Sequence, residues 1–417
     1  MLLSKFKHKL SGQYIRNIGW MGGTELANRI FRLGTTVVLA RIFNSYDYGL
    51  VAVVLTTNEI ANVFTLRAGI GSKLIQATDE ELDILCDTSY WMNWILSIAL
   101  MIIQCCVAFP IAWFYGDNRV ILPICVISIS YLILPIYSIQ GALILRDNRF
   151  SVSALCNLLQ SFFGNFLTIV FAFLGFGMWA IIIPIILTSP IWAIVTLKNH
   201  KWRPQKSFTL YRWKEIASFS FNVLGVEVLT KLRANLDYLI IGRFLGIDIL
   251  GMYYFAFNAG IGISLNVINS LVWSLYPHLC EVRANILELR KRYFNSLKTM
   301  AYIIIPLVLL QSFLAPFYVP IIFGQKWLNA IPILVVVCLS AIPRPFGEAA
   351  GHLLKAIGKP RVDLYFNLLF TVVFVLGLLI AVNWGIFWVA VSVLVTHIVF
   401  MSGFAVWSSK YVFYKRV

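Results

Sequence analysis

Acidic residues are scarce: Asp and Glu total 18 in 417 residues, against 34 Lys and Arg, and charged residues of both signs make up only 12% of the chain. That is too little polar surface to cover the two or three soluble domains this length would otherwise form. The seven cysteines, at 86, 105, 106, 125, 156, 280 and 338, include no CxxC pair and lie mostly within apolar runs, so they read as packing residues. The five histidines form no HExxH or related cluster, and no metal site or other cofactor is expected. An apolar signal-peptide core is missing too, because Lys5, Lys7 and Lys9 are followed by His8, Ser11, Gly12, Gln13, Arg16 and Asn17.

What the chain has instead is apolar sequence: 60% hydrophobic residues and a mean hydropathy of +0.82. This is the composition of a membrane protein, in which each crossing needs about 20 apolar residues. The runs predict twelve helices, over 17–40, 47–66, 89–114, 120–145, 151–174, 177–197, 216–241, 249–277, 299–323, 328–354, 362–382 and 386–408. They are too long and continuous for the alternating strands of a barrel.

With both termini in the cytoplasm, 25 of the 34 Lys and Arg fall in inner segments and four in outer loops, namely Arg41, Arg119, Arg243 and Lys326. That asymmetry obeys the positive-inside rule and supports the number of crossings. Because the net charge of +16 is spread through short loops, no nucleic-acid partner is expected. The acidic run Asp79, Glu80, Glu81, Asp83 and Asp87 is expected to be a solvated loop leading into the third helix.

Offsetting the chain by 202 residues pairs Gly23 with Gly225, Glu25 with Glu227, Arg29 with Lys231, Arg41 with Arg243 and Gly49 with Gly251. The halves therefore read as copies, in parallel because six crossings separate them. The expected organisation is an amphipathic cytoplasmic segment over 1–16, a six-helix bundle over 17–197, a basic connector over 198–215, a second six-helix bundle over 216–408 and a cytoplasmic tail over 409–417. The fold class is thus an all-α polytopic membrane protein of two parallel-repeat bundles. In such transporters the site lies at the repeat interface near mid-bilayer.

Five bases fall within predicted helices: Arg29, Arg32, Lys231, Arg233 and Arg344. The acids Glu25, Glu59, Glu227, Asp237 and Glu348 join them, together with His352. Glu25, Arg29 and Arg32 lie within a helical stripe about 60° wide. Glu227 with Lys231, and Arg233 with Asp237, are i, i+4 pairs, and Arg344, Glu348 and His352 follow one another at the same step beside Pro343 and Pro345, where a break is expected. At about 2.5–3.5 kcal/mol per charge near a helix centre, these groups must face protein or water. Two readings remain open at this point, structural ion pairing between helices and the lining of a cationic cavity. The bases suit an amphiphile with an anionic phosphate head, and the acids and His352 suit coupling to H⁺ or Na⁺. No catalytic residue is assigned, since outer loops of about a dozen residues or fewer leave no room for an external catalytic domain. An antiporter of drugs or other small molecules on the same fold is the main alternative, although an organic cation calls for unpaired acids.

The stretches LARIFNSYDYGLVAVV (39–54), NLDYLIIGRFLGIDILGMYYFAF (235–257) and AIGKPR (356–361) resemble the bacterial lipid-linked oligosaccharide flippases, the O-antigen and exopolysaccharide translocases of the multidrug and oligosaccharidyl-lipid exporter superfamily. The resemblance implies a V-shaped pair of bundles in the bacterial inner membrane. Its implied activity is alternating-access transfer of an undecaprenyl-pyrophosphate-linked glycan to the outer leaflet, coupled to an ion gradient, with polysaccharide polymerase and other pathway proteins as partners. It further implies that Arg29, Arg32, Lys231 and Arg233 receive the pyrophosphate. Asn235, Asp237, Gly242, Arg243, Gly246 and Gly251 also match the motif, whereas Asn44 and Ser45 stand where the family often has Gly and Pro.

Overall fold

The computed structural model describes the backbone of residues 2–205 and 207–413, and side chains from Trp20 onward except at scattered positions between Met21 and Pro277. The amphipathic face expected over 1–16 and the end of the expected tail lie outside the described residues.

The described chain is helical. The first half comprises α1 (Leu2–Ile42), α2 (Ser45–Val63), α3 (Arg67–Gln76), α4 (Asp79–Tyr115), α5 (Ile121–Ser128), α6 (Leu134–Arg146), α7 (Phe150–Phe173), α8 (Trp179–Thr188) and α9 (Pro190–Asn199). The second comprises α10 (Trp213–Phe244), α11 (Ile247–Ala259), α12 (Ile261–Cys280), α13 (Ile286–Tyr318), α14 (Ile331–Leu339), α15 (Arg344–Ala356), α16 (Pro360–Ala381) and α17 (Ile386–Phe413). The 202-residue register holds in the structure: α1 and α10 end at Ile42 and Phe244, and α2 and α11 begin at Ser45 and Ile247.

Among the described residues, eight helical stretches are long and apolar enough to cross a membrane, and a ninth is the pair Asn118–Leu132 and Leu134–Arg146, bent by 50°. Three other rods, α1, α10, and α11 with α12, bring the long helical rods among the described residues to twelve. Charge keeps α1 and α10 off an apolar scale: α10 alone carries Glu227, Lys231, Arg233, Asp237 and Arg243.

Several expected spans are broken where backbone chemistry demands it. Pro190 opens α9, and α14 stops at Leu339, five residues before the Arg344 that opens α15, so the break falls beside Pro343 and Pro345 as expected. The acidic run is not a loop. Asp79, Glu80 and Glu81 form the first turn of α4, where carboxylates oppose the partial positive charge of the helix N-terminus. The residues from Arg67 onward are likewise helical, as α3.

By contact the chain forms two compact units. The first comprises Met1–Phe43 and Val53–Asn235, the second Asn44–Ala52 and Leu236–Val417. The connector and most of α10 therefore pack within the first unit. In that unit α1 runs along α7, α4 packs on α5 and α6, and α3 on α6. Its core gathers Leu66, Ile70 and Leu74 with Leu85, Cys86, Ile139, Leu143 and Ile216. In the second unit α15 and α16 pack on α17, and α12 on α13 and α15. There the Phe255 ring stacks on Trp327 at 3.9 Å, and Tyr48 meets Trp327 edge-on at 5.3 Å.

Candidate functional site

In the first unit the charges of α1 stand on a face clear of its packing partner. Phe31, about 120° round the helix from Arg32's stripe taking 100° per residue, meets Phe162 of α7 edge-on at 5.4 Å. Of the Glu25, Arg29 and Arg32 stripe, Glu25 and Arg32 are exposed, while Arg29 is half-buried with its Nε shielded. Arg29 Nε lies 3.6 Å from Glu25 Oε1, and Arg32 is exposed, with no ion pair among the described residues.

Lys231 of α10 does not take the helical partner expected for it. Its Nζ reaches across to Glu59 of α2 at 3.5 Å, while Glu227 has no ion pair among the described residues. Asn235 steadies the pair by donating from Nδ2 to Glu59 Oε2 (3.4 Å) and to the Lys231 carbonyl (2.9 Å). Thr56 in turn donates to Asn235 Oδ1 at 3.3 Å. Thr56 and Asn235 are buried, whereas the side chains of Lys231 and Glu59 are 47% and 53% exposed. The result is a polar ladder between α2 and α10, buried at one end and open at the other. Within this unit Arg29, Arg32, Lys231 and Arg233 outnumber Glu25, Glu59 and Glu227 by one.

A second polar system holds α2 from its other side. The Tyr131 hydroxyl lies 2.7 Å from Gln104 Oε1 and 3.0 Å from Asn58 Oδ1, and Gln104 Nε2 donates to the Ile124 carbonyl at 3.0 Å. The buried Gln104 amide and half-buried Asn58, joined through Tyr131, anchor α2 at the residue before Glu59.

In the second unit, buried Asp237 accepts from the Tyr253 hydroxyl at 2.9 Å and from the Tyr238 backbone N–H at 3.0 Å. Arg344, half-buried with an unpartnered Nε, interacts electrostatically with Glu348 and Asp237. Glu348 is exposed, and His352 is half-buried beside the Tyr276 ring at 5.7 Å with its Nδ1 unpartnered. The sequence-predicted residues thus gather as Glu25 with Arg29, as Glu59 with Lys231, and as Asp237 with Arg344 and Glu348. Sequence reasoning missed Thr56, Asn58, Gln104 and Tyr131. Polar residues one turn from Glu59, or set in the apolar runs opposite it, were the available signal.

Residues 38–332 match the family model described as polysaccharide biosynthesis protein. This chain belongs to that family. Among its curated relatives are the teichuronic acid biosynthesis protein TuaB of Bacillus subtilis, 26% identical over 77% of this chain and 66% of its own length, and the lipopolysaccharide biosynthesis protein WzxC of Escherichia coli, 25% identical over 82% and 70%. The succinoglycan biosynthesis transport protein ExoT of Rhizobium meliloti is 24% identical over 85% of this chain and 71% of its own. The chain thus spans about two thirds of the length of TuaB and somewhat more of the others.

Its fold is that of solved transporters. The lipid II flippase MurJ in an inward closed conformation aligns with a TM-score of 0.77 at 14% identity, covering 94% of this chain and 87% of MurJ. An inward-facing multidrug resistance transporter of the MATE family aligns at 0.75 and 15% identity, covering 92% and 94%. Both likenesses concern the fold alone.

Proposed function

We propose that this protein is a flippase that carries an undecaprenyl-diphosphate-linked oligosaccharide from the inner to the outer leaflet of the bacterial inner membrane, with both termini cytoplasmic. The diphosphate is received by Arg29, Arg32, Lys231 and Arg233, and release to the far side follows alternating access. The observation that carries this reading is the half-exposed Lys231–Glu59 pair, together with the exposed Arg32 of α1, on helices of the bundle. A charge exposed to lipid costs about 2.5–3.5 kcal/mol, so this face is wet. Guanidinium groups bind phosphate oxygens by paired hydrogen bonds, which suits the excess of bases.

Coupling to H⁺ or Na⁺ falls to the acids paired with those bases. When the diphosphate displaces Glu25 from Arg29, or Glu59 from Lys231, the freed carboxylate takes up a cation. A drug antiporter would need acids free of internal bases; in the first unit Glu25 and Glu59 are paired with bases, and of the three candidate acids there only Glu227 has no ion pair among the described residues. The test is translocation of a fluorescent undecaprenyl-diphosphate glycan in vesicles under an imposed H⁺ or Na⁺ gradient, beside efflux of a cationic dye. Glycolipid transfer without dye efflux supports the flippase; dye efflux alone overturns it.

A further inference from the structure

Outside the charged stripes, one base stands in an unusual setting. Arg67 follows Leu66, a leucine held in the left-handed region (φ 56°) by burial of its side chain, and the corner turns the chain from α2 into α3. Thr65 braces the corner by donating to the Asn62 carbonyl at 2.7 Å. The Arg67 guanidinium then lies 5.3 Å from the centre of the Tyr137 ring on α6 and 5.5 Å from that of Trp192 on α9. Trp192 is itself fixed, its Nε1 donating to Gln160 Oε1 of α7 at 2.8 Å. Four helical segments of the first unit therefore combine to hold one exposed arginine.

How it is held matters. Cation–π contact uses the charge and the flat face of a guanidinium and leaves its N–H groups alone. Among the described residues no carboxylate or carbonyl engages those donors. An arginine positioned by two rings, with its donor fork unengaged, is prepared for the oxygens of a phosphate. The two rings belong to an apolar cluster in which Leu134 and Ala193 are buried and Ile133, Ile136 and Leu197 are partly buried. A cationic fork next to apolar side chains fits an amphiphile with a phosphate head better than a free ion.

We propose that Arg67, framed by Tyr137 and Trp192, is a separate binding site for the diphosphate of a polyprenyl lipid, where the head docks before it reaches Arg29 and Lys231. This rests on the flippase reading above. Arg67 lies on the inner side in the expected topology, where such a substrate arrives. The same chemistry would hold the phosphate of a bulk anionic phospholipid, so the experiment has an arm for each source.

Purified full-length protein in detergent is titrated with undecaprenyl diphosphate and, separately, with phosphatidylglycerol, and bound lipid is counted by native mass spectrometry. Arg67→Ala is expected to weaken undecaprenyl diphosphate binding about tenfold and to leave phosphatidylglycerol unchanged. Arg67→Lys, which keeps the charge and loses the fork, should recover only part of the affinity. Trp192→Phe, which keeps a ring for the guanidinium, should retain most of it. The proposal is overturned if Arg67→Ala binds undecaprenyl diphosphate as the parent does, or if both lipids lose affinity equally, which marks a general headgroup contact. If the parent protein itself retains no undecaprenyl diphosphate, the flippase reading fails along with it.

Discussion

Gly251 rests directly on the backbone carbonyl of Ser45, and the repeat reproduces the contact in reverse: Gly49 rests on the carbonyl of Ile247, the residue 202 positions after Ser45. A Cβ on either glycine would fall on backbone atoms, including the Gly49 nitrogen 2.7 Å from the Gly251 position. Backbone cannot move aside as a flexible side chain can. Gly251→Ala and Gly49→Ala should each destabilise the protein by about 1–3 kcal/mol. The check is thermal unfolding in detergent, where Gly225→Ala, with no atom within 4 Å of its added carbon, serves as the neutral comparison.

Lys231 and Glu59 should separate transport from stability. Their contact is 3.5 Å long and half-exposed, so its loss should cost no more than about 1 kcal/mol. Lys231→Ala and Arg29→Ala are therefore expected to insert and unfold as the parent does while abolishing surface polysaccharide in complemented cells. Loss of insertion instead would assign these bases to structural pairing.

Asp237 and Arg344 should behave in the opposite manner. Arg344→Met removes a charge that acts electrostatically on the buried Asp237 carboxylate without a direct ion pair, so it should destabilise the protein, and Arg344→Met with Asp237→Asn should recover part of that loss. Unfolding of the two single variants and the double variant measures the coupling.

The connector should be clamped at neutral pH and released by acid. Arg212 reaches Glu81 and Glu215 at 2.6 Å each, and Lys73 reaches Glu215 at 2.6 Å. The hydrogen bond from Lys73, with that from Arg212, holds the Glu215 carboxyl below its ordinary value of 4.5. A depressed carboxyl contributes stability above its unfolded value and loses it as pH falls through the folded one, so the clamp opens only below about 4.5. Limited proteolysis should find residues 200–212 protected at neutral pH in the parent, and cleaved there in Arg212→Ala.

Composition, apolar runs and the repeat made the helical class and the twelve crossings legible, because hydropathy and a constant register are properties of sequence alone. The 202-residue offset even located matching helix ends. Helical spacing served Glu25 and Arg29, whose partners share a helix. It failed for Lys231, because a contact between helices depends on packing that no periodicity encodes, and Glu59 on α2 proved nearer than Glu227. The acidic run misled for a related reason. A cluster of carboxylates reads as a solvated loop until the start of α4 supplies partial positive charge, and Arg146 reaches Asp79 at 2.6 Å. Arg67 counted only as an inner-side charge, since Tyr137 and Trp192 lie far from it in sequence.

The most direct test of a diphosphate received by the bases of α1 and α10 is the transfer rate of a labelled undecaprenyl-diphosphate oligosaccharide in vesicles, for the parent and for Arg29→Ala with Lys231→Ala. Two lost charge-assisted contacts, at about 1.5–3 kcal/mol each, should slow transfer at subsaturating substrate at least a hundredfold at equal protein insertion. Transfer at the parent rate by the double variant would contradict the account.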